Sequence, residues 1–439
     1  MKFHIYTTGC KANQWDSYVM SNALRNRGLT QGSLAQADII IINACTLTGG
    51  AERDVRQFIH KARRLSKGAR VVLAGCHAQV YPENVFGADL VLGQNEKFSI
   101  DEFLEKEGSF VRQTRVFPME DALVDGFPSG RTRVFLKVQD GCDRFCAYCV
   151  VPLARGKPRS RPLEEILRVM KIFREKGLKE VVLTGIELSS YCDPETGMDF
   201  KGLLQALEAA ETPMRLRISS IDPLYVDDEF VEIIADSTKI AKSLHIPLQS
   251  GSDAVLEKMG RVYTRRFMGD LLEMIRRRID SIGIGMDVMV GFPSEDEERF
   301  METYRFLETT GVSYLHIFPY SARQGTRAAL WKEDVPDTVK RQRVRTLKGL
   351  DGILRRRFAE RFVGTEAVII VEGKIYRGSF LRGYTDNYIP VYVPYRKGLA
   401  NDCVKVTIRE IRDNLLLGEV KPPATSTFGG YPAGLPGEE

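Results

Sequence analysis

This chain of 439 residues has no long uncharged apolar run, which excludes a membrane-spanning helix. Its first ten residues, MKFHIYTTGC, read as a strand and carry no signal-peptide pattern. Neither sign of charge prevails: 63 basic and 58 acidic residues leave a net +5, which does not by itself imply a nucleic-acid partner. Eight cysteines in a chain without a secretory pattern point to a reducing cytoplasm, where thiols bind metal more often than they pair. What is present is ordinary for a globular protein, 43% hydrophobic and 28% charged. At this length the prior is about three domains rather than one core.

The cysteines are unevenly spread. Residues 141–149, GCDRFCAYC, hold Cys142, Cys146 and Cys149 in a C-x3-C-x2-C array. Three thiolates this close can wrap one metal centre and cannot all pair as disulfides. Zinc usually takes four protein ligands, or three with an open catalytic position. An iron–sulfur cluster held by only three cysteines keeps one iron open for a small molecule.

Residues 1–107 alternate β-rich apolar runs with helical patterns, giving strands at 3–8, 37–43, 71–74 and 89–92 and helices at 16–27 and 53–66. Continuous apolar strands between helices predict a parallel sheet covered on both faces. The first three strands each end in a cysteine: Cys10 in TTGCKANQ, Cys45 in NACTLT, Cys76 in AGCHAQ. Their spacings, 35 and 31 residues, are each about one βαβ unit. Sites in such sheets form outside the carboxyl ends of the strands, so these thiols are expected to converge on one edge as a second metal centre. His77 is a candidate further ligand, although a lone histidine is more often structural.

Residues 108–130 lack periodicity and carry glycine and proline, as a linker would. Residues 131–360 hold six apolar runs, at 134–139, 180–185, 215–220, 244–249, 286–291 and 314–319. Helical patterns at 162–176, 228–236, 253–259, 265–279 and 295–309 lie between them. Repeated βα units curl into a barrel or partial barrel with its chemistry at the C-terminal ends of the strands. The cysteine array follows the first strand directly and so belongs to that mouth. So do Thr184, Gly185 and Glu187 in TGIE, Ser219 in ISS, Gln249 in PLQSGS, and the turn GFPSE. A basic helical segment at 338–362 follows, in which the adjacent Arg355, Arg356 and Arg357 fan around the helix. Residues 361–421 then show about five short strand patterns, enough for a small OB-like barrel. Its Tyr376, Tyr384, Tyr388, Tyr392 and Tyr395 are candidates to stack on bases, although such tyrosines are more often packing. Residues 422–439, rich in proline and glycine, read as a disordered tail.

A six-strand βα domain that opens with C-x3-C-x2-C resembles the radical S-adenosylmethionine (SAM) enzymes. The extra three-cysteine domain narrows the likeness to the methylthiotransferases, through TTGCKANQWDS, NACTLT, AGCHAQVYPE, GCDRFCAYCVVPLARGKPRSRP, RISSIDP, HIPLQSGSD, DVMVGFPSE and FPYSARQGT. The resemblance implies an α/β multidomain chain: an N-terminal parallel α/β sheet domain, a central partial (β/α)6 radical SAM barrel and a C-terminal all-β TRAM barrel that binds RNA. It implies two 4Fe-4S clusters, one on Cys142, Cys146 and Cys149 for SAM, and an auxiliary one on Cys10, Cys45 and Cys76 that delivers sulfur. It further implies two SAM molecules per turnover, one as methyl donor and one as radical source. Thr184, Gly185, Glu187, Ser219 and Gln249 are the candidate SAM contacts, Glu187 for the amino group. Reduced flavodoxin or ferredoxin as electron donor and a separate sulfur donor are implied partners.

Of the family's branches, GCKANQ, ARGKPRSR and FPYSARQGT resemble the one acting on threonylcarbamoyladenosine in the anticodon loop of tRNA. The sister branches, on isopentenyladenosine of tRNA and on an aspartate of a ribosomal protein, typically read GCQMN and GCPKN. NAC for NTC and GFPSE for GFPGE are departures, and Ser294 leaves the backbone of that turn in question. The reacting carbon would be an aromatic C–H, on a base turned out of its stack. Arg155, Lys157, Arg159 and Arg161 are candidates to grip the anticodon-loop phosphates. Two other classes compete: a radical SAM enzyme that thiolates a protein side chain, and an RNA-binding protein with structural or redox-sensing clusters. Cys192 and Cys403 have no cluster partner in the pattern.

Overall fold

The structure, a computed structural model, describes residues 1–120, 132–212 and 215–421. The expected tail at 422–439 and residues 121–130 of the expected linker lie outside the described residues. No helix among the described residues is long and apolar enough to cross a membrane.

The N-terminal sheet has six parallel strands, in the order Thr30–Gln31, Lys2–Thr7, Ile39–Asn43, Arg70–Ala74, Leu90–Leu92, Gly108–Phe110. The isoleucine run explains its two covered faces, because successive side chains in a strand point to opposite sides. Ile39 and Ile41 pack with Met20 and Leu24 of the helix Lys11–Asn26. Ile40 and Ile42 pack with Val55 and Ile59 of the helix Gly49–Leu65. Gly108–Phe110 departs from the linker expected there, since it pairs with Leu90–Leu92 as the sheet's edge. Three residues with one apolar side chain carry no strand signal of their own.

The central domain has six strands in two parallel sheets of three. Glu180–Thr184 lies between Arg133–Lys137 and Arg215–Ile218, and Gly283–Val290 lies between Ser243–Gln249 and Tyr314–Pro319. One parallel bridge, Leu216 to Ile240, joins the two sheets. The first and sixth strands do not pair, so the barrel is partial and open on one side. Trp15, Tyr18 and Val19 of the helix Lys11–Asn26 join the core of this barrel with Val134 and Leu136 of its first strand. The helix Phe200–Ala209 was not apparent in the sequence; Asp199 caps it by accepting from the Gly202 N–H at 3.0 Å.

The last domain is a closed five-stranded barrel, ordered Glu366–Tyr376, Phe380–Tyr384, Pro390–Pro394, Leu415–Val420, Cys403–Arg412. Its loop around 385–388 seats against the base of the central barrel. Arg217 donates to the carbonyls of Asp386 (2.9 Å) and Thr385 (3.1 Å), and Arg215 to that of Tyr384 (2.9 Å). Gly283 admits this loop, because a Cβ there would stand 2.1 Å from the Asn387 carbonyl oxygen. Tyr384 and Tyr388, candidates for base stacking, stack on each other at 4.9 Å and lie beneath Arg133. They serve the domain contact.

A buried ionic cluster joins the first two domains. Asp16 is fully buried, with Lys97 Nζ at 2.6 Å, Lys137 Nζ at 2.5 Å and Arg155 Nη2 at 2.8 Å. Arg155 also spans both oxygens of Asp140 at 2.9 Å, and Arg161 donates to Glu120 at 2.8 Å. The sequence expectation that Arg155 and Arg161 grip RNA phosphates is therefore corrected: both are within the cluster and 1% exposed or less. Arg159 is bound to Asp140 at 2.8 Å as well, which leaves only Lys157 exposed from that run.

Removing one partner of a buried pair strands the others without compensation. Asp16→Ala is expected to cost about 3–5 kcal/mol, read as a lower midpoint in chemical denaturation. Burial alone would raise the Asp16 carboxyl, but Lys137, Lys97 and Arg155 hold it far below its ordinary value. A carboxyl depressed in the folded state stabilises fully above its unfolded pKa of about 4 and loses that contribution as pH falls. Denaturation midpoints should therefore decline below about pH 4, and less steeply in Asp16→Ala.

Candidate active site

All eight cysteines are free thiols. A cavity of about 530 Å³ opens at the barrel mouth. Cys142, Cys146 and Cys149 line it from the loop after the first barrel strand, and Cys10, Leu47 and Thr48 line it from the N-terminal domain. Its size falls within the usual range of ligand sites.

Local backbone shapes the array. Gly141, at φ +77°, lies so close to the Lys157 carbonyl that a Cβ would stand 2.1 Å from its oxygen. Phe145 also takes a positive φ, +48°, which a bulky side chain rarely adopts. Cys142 N–H donates to the Gly156 carbonyl at 3.0 Å, and Cys149 N–H to that of Cys146 at 2.9 Å. In the other group Cys45 N–H donates to Thr8 Oγ1 at 2.8 Å, and Gln94 Nε2 to Cys76 Sγ at 3.4 Å. Gly9 is pressed against Cys45, where a Cβ would meet the cysteine Cβ at 2.4 Å. Cys45 and Cys76 are buried behind Cys10, and the three thiols repel one another's charge.

Burial pushes the Cys45 and Cys149 thiols up to about 12 and Cys142 up to about 11, and neighbouring thiols add to each shift. Grouped thiols that are neutral alone become thiolates only when a cation replaces their protons, which is the donor chemistry of a metal–sulfur centre. The residues present fit a cluster at each place. His77 lies beside Cys76; its Nε2 meets the Asn84 carbonyl at 2.9 Å and its ring stacks on Phe86, while its buried Nδ1 has no hydrogen-bond partner.

The remaining candidates divide. Glu187 and Gln249 line the cavity. Burial raises the Glu187 carboxyl against the pull of Arg144, whose Nε lies 3.0 Å away. Gln249 sits at φ +67° with its buried Oε1 unpartnered, free for a ligand. Thr184 and Ser219 are buried at strand ends away from the lining, and the Ser219 Oγ is also unpartnered. Gly185 supports from behind: a Cβ there would stand 2.9 Å from Gln139 Oε1, the oxygen that accepts the Ile186 and Glu187 N–H groups. Ser294 keeps its turn at φ +76°, its N–H held by Asp334 at 2.8 Å, so serine adopts the left-handed backbone that favours glycine.

Several lining residues escaped sequence reasoning. Arg144 reaches Asp222 at 2.9 Å, Arg261 lies 3.6 Å from the same carboxylate, and Arg261 donates to Tyr148 Oη at 2.9 Å. Arg144 and Tyr148 lie inside the cysteine array and Asp222 inside RISSIDP, so the motifs held the signal. Arg261 lies in no motif. Cys192 is exposed and Cys403 opens a strand of the last barrel; neither belongs to the site.

A partial βα barrel with a three-thiol loop at its mouth defines the radical SAM class. Family models agree: the radical SAM superfamily matches residues 136–307, the uncharacterized protein family UPF0004 residues 2–93, and the TRAM domain residues 360–421. The radical SAM methyltransferase TsrM from Kitasatospora setae superposes with a TM-score of 0.52, covering 72% of each chain. At 16% identity that likeness speaks for the fold alone. Threonylcarbamoyladenosine tRNA methylthiotransferase MtaB from Aquifex aeolicus is 39% identical over 89% of this chain and 96% of its own length. The enzyme of that name from Bacillus subtilis is 36% identical over 92% of each. A tRNA-2-methylthio-N(6)-dimethylallyladenosine synthase from Protochlamydia amoebophila is 31% identical over 96% of each. The chain belongs to the radical SAM methylthiotransferase family.

Asp222 Oδ2 is ion-paired with two arginines at the cavity wall, and removing the charge of one buried partner leaves the others uncompensated. Asp222→Asn is expected to weaken SAM binding about tenfold, measured by equilibrium dialysis on protein with an unchanged circular dichroism spectrum.

Proposed function

We propose that this enzyme installs a methylthio group at C2 of threonylcarbamoyladenosine, next to the anticodon of tRNA. The observation that carries the reading is one cavity lined by the three thiols of the barrel loop and by Cys10 of the N-terminal domain, with Cys45 and Cys76 buried beside Cys10. Cys142, Cys146 and Cys149 would hold the SAM-binding 4Fe-4S cluster, and Cys10, Cys45 and Cys76 the auxiliary one. When bound, SAM and the clusters supply a carbon-centred radical, a methyl group and sulfur. The protein's own share is to position and to exclude water. Glu187, whose half-buried carboxyl faces the cavity, suits the SAM amino group, and the unpartnered Gln249 Oε1 suits a donor on a ligand.

The substrate branch rests on the GCKANQ motif and on the 39% and 36% identical relatives named for threonylcarbamoyladenosine. The TRAM match supports an RNA substrate. The exposed Lys157 and Tyr395 remain candidate RNA contacts. A reduced flavodoxin or ferredoxin and a sulfur donor complete the scheme.

Nucleosides from total tRNA of cells with and without this gene, compared by mass spectrometry, test the substrate. Loss of the methylthio group from threonylcarbamoyladenosine alone is the expected result. Loss from isopentenyladenosine would move the enzyme to the sister branch, and unaltered nucleosides would end the tRNA assignment. The ligand sets are tested separately. Cys142→Ala and Cys10→Ala should each remove about half of the reconstituted iron and sulfide, and the double variant nearly all.

A further inference from the structure

Lys11 follows Cys10 and opens the helix Lys11–Asn26. Its side chain is exposed to solvent, yet the charged groups facing its ammonium are Arg217, Arg133, Asp287 and Glu180. Those four belong to four different strands of the partial barrel. Along these strands the alternate residues Val134, Val181, Leu216 and Met286 pack in the core beneath the helices, which turns their neighbours to the lumen. Groups on four strands surround a single point only from inside. The ammonium therefore faces the lumen, near Asp287, which also lines the cavity at the mouth, and it is brought in from the N-terminal domain that packs on the barrel's first strand.

It stands there without an anion of its own. Glu180 is shared by Arg133, by Arg217 at 3.0 Å and by Arg215 at 3.6 Å. Asp287 accepts from His245 Nε2 at 2.9 Å and lies 3.5 Å from His316 Nδ1. Lys11 makes no hydrogen bond or ion pair among the described residues. A cation facing the lumen without a partner is a ready donor to a ligand carboxylate, and such charge-assisted hydrogen bonds outweigh neutral ones.

We infer that Lys11 is a specificity-determining residue, binding the free carboxylate of the threonylcarbamoyl group when the modified adenosine enters the cavity. The inference rests on the substrate assigned above. The threonine portion is joined through its nitrogen, so its carboxylate stays ionised, whereas an isopentenyl group offers the ammonium nothing. Lys11 thus selects twice, by attracting the acid and by going unpaired against an apolar substituent.

The test uses cluster-loaded enzyme without reductant and two labelled anticodon stem-loops. One carries threonylcarbamoyladenosine as the free acid and the other carries its methyl ester. Binding is read by fluorescence anisotropy. Wild type should prefer the acid by tenfold or more, Lys11→Gln should bind the two alike, and Lys11→Arg should keep the preference. The ratio guards against damage beside Cys10, because a misassembled protein loses both ligands equally. An undiminished preference for the acid in Lys11→Gln protein that holds the wild-type content of iron and sulfide overturns the inference. Turnover with wild type separates it from its premise. Thiolation of isopentenyladenosine but not of threonylcarbamoyladenosine removes the substrate assignment and this inference together. Thiolation of threonylcarbamoyladenosine with the acid preference intact in Lys11→Gln removes the inference alone.

Discussion

Asp16 and the three cations around it set the distance between the two thiol groups. Asp16 belongs to the helix that starts beside Cys10, while Lys137 and Arg155 flank the array of Cys142, Cys146 and Cys149 in sequence. Because the contact is buried and charge-assisted, its geometry tolerates little slip: any displacement leaves a charge in a dry interior. Glu120 extends the same clamp, accepting from Trp15 Nε1 at 2.7 Å and from Arg161. The proposed transfer between two clusters would depend on such a fixed separation.

The opposite end of the barrel is governed by charge of the same kind. Three arginines share Glu180, whose carboxyl Arg217 and Arg133 pull down to about 2 against the effect of burial. Two of these arginines also carry the carbonyls of the last domain's loop. The TRAM barrel is thereby tied to the base of the catalytic barrel rather than strung on its connecting helix.

Much of this was legible in advance. The βα alternation, the position of the array after the first strand and the convergence of Cys10, Cys45 and Cys76 follow from local pattern, because strand ends and helix starts are local events. The misreadings have a common cause. Arg155 and Arg161 look like solvent-facing cations until Asp16, Asp140 and Glu120 are brought to them from other segments. Tyr384 and Tyr388 are open to either reading in sequence, packing being the commoner, and it is the barrel base that makes them packing residues. Gly108–Phe110 becomes a strand only because Leu90–Leu92 offers it an edge. Periodicity and composition carry no record of such long-range partners.

By itself the sequence determined which residues could bind metal, where each sits along its βα unit and which family the chain belongs to, since spacing and motif are properties of the chain in order. Only the tertiary structure decided which charges are spent on holding domains together and which stay free. Arg155 and Lys11 are both cations beside a cysteine motif, yet one is buried among carboxylates and the other stands unpaired in the lumen. The difference lies in what surrounds each in space, and electrostatic energy depends on distance and burial, not on position in the sequence.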